Sequence, residues 1–132
     1  MKKITCIMVL VLSSLTSVSF ADEFMSADQV KALMTNKTFD GIYLPKDKQF
    51  KVFEDADGTH NVYYPKKDKL VNNREWKVNE KGQHCTTHPK WDDYRCSHVK
   101  DAGNGEYHKI NDDGEHTHTL TNFREGNKLE SE

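Results

Sequence analysis

The chain predicts a mainly β fold: a small antiparallel β-barrel or curved meander of about eight strands, preceded by one short N-terminal helix. Three observations predict it. Turn signals recur every 10 to 20 residues from position 36 onward. The runs between them are short and rich in β-branched and aromatic residues. Helical spacing of apolar residues occurs in one place only, before the first of these runs.

The elements follow in order. Ser26-Ala27-Asp28-Gln29 reads as a capping box, a serine oxygen facing an orphan amide with a glutamine three positions on. Val30, Leu33 and Met34 continue it at helical spacing, so a helix over about 27–35 is expected, packed against a sheet because it is too short to stand alone. Strand-like runs then occupy 38–44, 50–54, 59–64, 70–78, 83–87, 94–100, 106–110 and 115–123. Asp55-Ala56-Asp57-Gly58, Asn79-Glu80-Lys81-Gly82 and Asn111-Asp112-Asp113-Gly114 each place a glycine where a positive φ is easy. Phe53 falls on one face of its strand and Phe50 and Val52 on the other, so the helix or a partner is expected to cover the second apolar face. The polar tail from Glu125 is expected to fray.

Residues 1–21 read as a cleaved signal peptide. Lys2 and Lys3 form a basic start, residues 4–12 an apolar run too short to span a bilayer, and Ser19-Phe20-Ala21 a small-x-small cleavage site. What remains, 22–132, is expected to be a single disulfide-bonded β domain in the periplasm or the medium. Only 35% of the chain is hydrophobic, a lean supply for a core, so a crosslink is valuable. Cys85 and Cys96 are the natural pair in an exported protein, and their spacing is not that of a C-x-x-C redox site. Net charge is −2, with basic and acidic residues interspersed. Nothing in that pattern argues for nucleic acid or anionic lipid, and no segment after the leader is suited to membrane insertion. A monomer is expected.

The order of short motifs resembles a family of short exported bacterial proteins of unknown function. The residues that carry the resemblance are Asn36-Lys37-Thr38-Phe39-Asp40-Gly41, Asp57-Gly58-Thr59, Glu75-Trp76-Lys77-Val78, Gly82-Gln83-His84-Cys85, Tyr94-Arg95-Cys96, Tyr107, Asp113-Gly114 and Gly126-Asn127. Arg74 stands where the family pattern has glycine, and Thr86-Thr87-His88 where it has apolar residues. The resemblance implies a fold and a compartment and carries no activity.

No nucleophile elbow, phosphate loop, dinucleotide fingerprint or H-E-x-x-H zinc motif is present, so no catalytic residue is assigned and the chain leans away from an enzyme. The sharpest local feature is His116-Thr117-His118. On a regular strand these two histidines share a face about 7 Å apart. That is suited to zinc or copper if a third ligand arrives from His60, His84, His88 or His98. Register parity places Tyr107 and Lys109 on the same face and His108 on the other, unless a bulge intervenes. Trp91, at the tip of the loop between the cysteines, is a candidate binding anchor, with Tyr94 and Tyr107 as aromatic companions. The function expected is an exported, non-enzymatic binding or interaction module for a small molecule or protein, with no cofactor; the alternative is a Zn/Cu-binding protein using His116 and His118.

Overall fold

The computed structural model describes residues 23–130, so the expected leader lies outside the described residues. The helix α1 (Ala27–Met34) leads into eight strands: β1 (Lys37–Tyr43), β2 (Lys48–Glu54), β3 (Thr59–Tyr64), β4 (Lys69–Val78), β5 (His84–Thr86), β6 (Arg95–Gly103), β7 (Glu106–Ile110) and β8 (His116–Glu125). Each pairs antiparallel with the next, and β8 returns to β1, closing a barrel. The mainly β barrel with one short helix is the predicted fold. Closure leaves no unpaired sheet edge between β1 and β8.

The capping box of α1 forms as expected: the Ser26 hydroxyl accepts from the Gln29 amide, and the Gln29 side chain accepts from the Ser26 amide. Eight residues are too few for a stable isolated helix. Tertiary burial supplies the rest: Val30 and Met34 are fully buried in a core with Phe39, Val52, Val62, Trp76, Val99 and Leu120. Burying each of those two side chains contributes roughly 1.5–3 kcal/mol. The helix therefore closes the barrel end at which β1 begins, and Asn36 then turns the chain with φ +58° and donates its amide to the Glu54 carbonyl.

At the opposite end, β1–β2 and β3–β4 are joined by two similar 3-10 turns, Leu44–Lys46 and Pro65–Lys67. Each carries a proline in its first turn and ends on an aspartate, Asp47 or Asp68, in the left-handed region. Gly41 of β1 has a different reason for its identity. A Cβ there would lie 2.3 Å from the Phe50 ring, so only glycine lets that ring lie across the strand.

Cys85 and Cys96 are direct partners across β5 and β6 and form a disulfide. Trp76 is in the core, its indole N–H donating to the Asp55 carbonyl. The tail corrects an expectation. It does not fray at Glu125: Gly126 donates its amide to the Asn36 carbonyl, the Thr38 hydroxyl bonds the Gly126 carbonyl, and the Lys128 amide bonds Thr38 in turn. Leu129 is 3% exposed. Thr38 pairs with Phe53 across β1 and β2, and both are buried. The returning tail is hydrogen-bonded to Thr38 on this outer part of the sheet.

Candidate functional site

Alternation along β2 carries Phe50, Val52 and Glu54 to the same face, the inside of the barrel. A carboxylate thus ends a core-facing stripe, and Glu54 is wholly buried. Two histidines meet it. His60, at the start of β3, bonds one carboxylate oxygen through Nδ1; His84, at the start of β5, bonds the other through Nε2 at 2.6 Å. Because the carboxylate can only accept, both bonding nitrogens carry their protons. The tautomer of His84 is thereby set, and its Nδ1 is left as a buried atom with no partner.

Lys109 of β7 and His118 of β8 face the same interior as register partners. With His60, His84, Thr86, Phe39, Phe50, Val52 and Leu120 they line a cavity of about 60 Å³. Lys109 is 7% exposed, and its ammonium makes no hydrogen bond to another described residue. Glu54 acts on the lysine through its field, and no direct hydrogen bond joins the two. Tyr43 and Phe50 pack on the His118 ring at 4.9 and 6.0 Å between centroids.

The electrostatics follow from burial and from these neighbours. Burial alone would raise the Glu54 carboxyl, but the charges and hydrogen bonds of His60 and His84 outweigh it and hold it down at about 2. Burial, then the Lys109 charge, lowers His84 to about 4 and His118 to about 3, so both are neutral at pH 7. Burial likewise lowers Lys109 to about 8, with Glu54 acting against it. The interior at neutral pH therefore holds a carboxylate bonded on each oxygen by an imidazole N–H group, and a lysine whose donors remain unused.

The sequence-derived site residues are not brought together as expected. The register of β7 and β8 shifts between Lys109 and Ile110. This bulge breaks the parity of His-x-His. His118 faces the cavity, whereas His116 stacks on His108 with ring centroids 3.8 Å apart and bonds the Thr119 hydroxyl. The two histidines do not share a face, and His108 joins His116. Among the described residues no three His, Cys, Asp or Glu side chains are arranged to hold a metal ion. Tyr107 and Lys109 do share the His118 side of the sheet.

Trp91 lies in the β5–β6 loop between the Arg95 guanidinium, 4.2 Å from its ring, and the His88 ring at 5.1 Å. Tyr94 is occupied by Lys77 and Glu75. Tyr107 packs edge-on against Phe123 beside the core.

Sequence reasoning named His60 and His84 as distant candidates and placed Lys109 with His118, but missed Glu54. The signal for it was present: period-2 alternation from Phe50 through Val52 reaches Glu54 two residues later. No family model matches the chain, and no characterised protein and no solved structure matches it significantly.

Proposed function

We propose that the protein is a non-enzymatic binding module whose recognition site is the barrel interior, and that its ligand is a compact anion of a few heavy atoms. The observation that carries this reading is Lys109: a buried cation beside a cavity, with no hydrogen-bond acceptor of its own. A buried charge without a partner is costly unless something completes its shell. The cavity volume, about 60 Å³, is far below the roughly 300–1,000 Å³ of organic-ligand pockets. It suits a chloride-, nitrate- or formate-sized guest. A catalytic reading has less support, because the one interior carboxylate is already held on both oxygens. The Cys85–Cys96 disulfide is in keeping with a periplasmic or secreted setting, and a barrel without open edges with a monomer.

The test is titration of the purified protein with chloride, nitrate and formate, followed by the NMR shifts of Lys109 and the histidine rings. Saturable shifts are expected, lost in Lys109→Met. No saturable response to any probe would refute the interior site. Uptake of zinc or copper lost on His118→Ala would replace the anion by a metal.

A further inference from the structure

The two similar turns at the end of the barrel opposite α1 carry a feature that the interior site does not use. Residues 44–48 read Leu-Pro-Lys-Asp-Lys, and residues 64–70 read Tyr-Pro-Lys-Lys-Asp-Lys-Leu. Lys46, Lys48, Lys66, Lys67 and Lys69 are all exposed, against two aspartates, and Asp68 already accepts the Tyr63 hydroxyl. Interspersed along the sequence, these charges are gathered by the fold. The antiparallel meander puts both turns at one end, with β2 and β3 adjacent, and Lys48 reaches across to the Tyr64 ring at 4.3 Å.

The same two segments carry exposed apolar side chains. Among the described residues three large hydrophobic side chains are exposed, Phe24, Leu44 and Leu70. Leu44 begins the first turn and Leu70 follows the second, each 43% exposed. Cations continue beside them. Arg74 bonds the Tyr64 hydroxyl, and Lys48, Arg74, Lys90 and Arg95 all act electrostatically on His88. The acidic Asp112 and Asp113 lie in the β7–β8 turn, whose strand β8 pairs with β1, and Asp112 accepts from the Gln83 side chain.

Exposed leucines ringed by lysines have a chemical meaning that lysines alone lack. Cations alone suit any polyanion; an apolar wedge among them suits a surface with negative headgroups above hydrocarbon. We propose that the β1–β2 and β3–β4 turns form a docking surface for an anionic phospholipid bilayer, with Leu44 and Leu70 entering the headgroup layer and the lysines facing the phosphates. This is peripheral contact, and it requires no spanning segment.

The protein recovered after export, its N-terminus fixed by mass spectrometry, is floated with phosphatidylcholine vesicles with and without phosphatidylglycerol. Binding to the anionic vesicles only is expected, and it should vanish near 1 M salt, where the screening length is about 3 Å. Lys46→Gln with Lys67→Gln should weaken binding more than about ten-fold, at about five-fold per lysine. Leu44→Ser with Leu70→Ser, all charges kept, should weaken it about ten-fold or more. Thermal melting of both variants should match the parent, since all four side chains are exposed. Absence of vesicle binding at low salt would overturn the proposal. So would leucine variants that bind as the parent does, because the patch would then be a charge-only site for a soluble polyanion.

Discussion

Glu54 is the residue on which the interior depends. It is a buried carboxylate that holds two imidazoles from two other strands, and its ionisation survives burial only because both donate to it. Removing it leaves two imidazole N–H donors buried and unpaired, at about 1–3 kcal/mol each. Glu54→Ala should therefore lower stability by that order in chemical denaturation. Glu54→Gln, which keeps one acceptor oxygen, should cost less. If both variants unfold at the parent's midpoint, the trio contributes nothing to the fold. The same substitution frees the His84 ring to reorient, visible as a changed tautomer in its ring nitrogen shifts.

Among the elements, the helix and the disulfide hairpin do different work. The helix is held by the stripe that it buries, so Met34→Ala, which empties a fully buried position, should cost about 2–5 kcal/mol. An exposed change on the same helix, Lys31→Ala, should cost almost nothing; equal losses from the two would mean that packing does not hold the helix. The β5–β6 hairpin has the shortest strand, three residues, and its own ladder is correspondingly small. Its crosslink spans a sequence separation of 11. Replacing both cysteines by serine should lower stability by about 3 kcal/mol, read from chemical denaturation. His84 and Thr86 belong to this strand and line the cavity, so the loss should also reach the interior site.

For the whole molecule the interior charges set a pH profile. His84 and His118 are lowered in the fold to about 4 and about 3 from an ordinary 6.5, so the unfolded chain binds more protons across that interval. Stability from their neutral burial is fully present above pH 6.5 and is lost as pH falls towards 3, by a few kcal/mol in order of magnitude. Glu54, lowered to about 2, adds a loss below pH 4.5. Lys109 is lowered to about 8 from 10.5, so the folded state sheds that proton first and stability rises between those values. The melting temperature measured across this range should fall steeply on the acid side and climb on the alkaline side. His118→Phe should flatten the acid limb and Lys109→Met the alkaline one; limbs that keep their slopes in those variants would assign the dependence to other groups.

Local chemistry by itself determined the class of fold. The Ser26–Gln29 capping box, the glycine-bearing turns and period-2 alternation each act within a few residues, so helix, strands and their order were legible, as was the cysteine pair in its hairpin. The composition of the site was not legible in the same way. Glu54, His60, His84, Lys109 and His118 come from β2, β3, β5, β7 and β8, and only closure of the sheet gives them a common interior. Parity predicts faces until a register shift intervenes, and the bulge after Lys109 separated His116 from His118 and stacked it on His108. The tail was misread for a related reason: Leu129 is one apolar residue in a polar segment, and its burial depends on hydrogen bonds to Asn36 and Thr38, some 90 positions earlier. Short-range preferences are written in short stretches of chain, whereas shared interiors, bulges and long-range covers are decided by where the backbone returns.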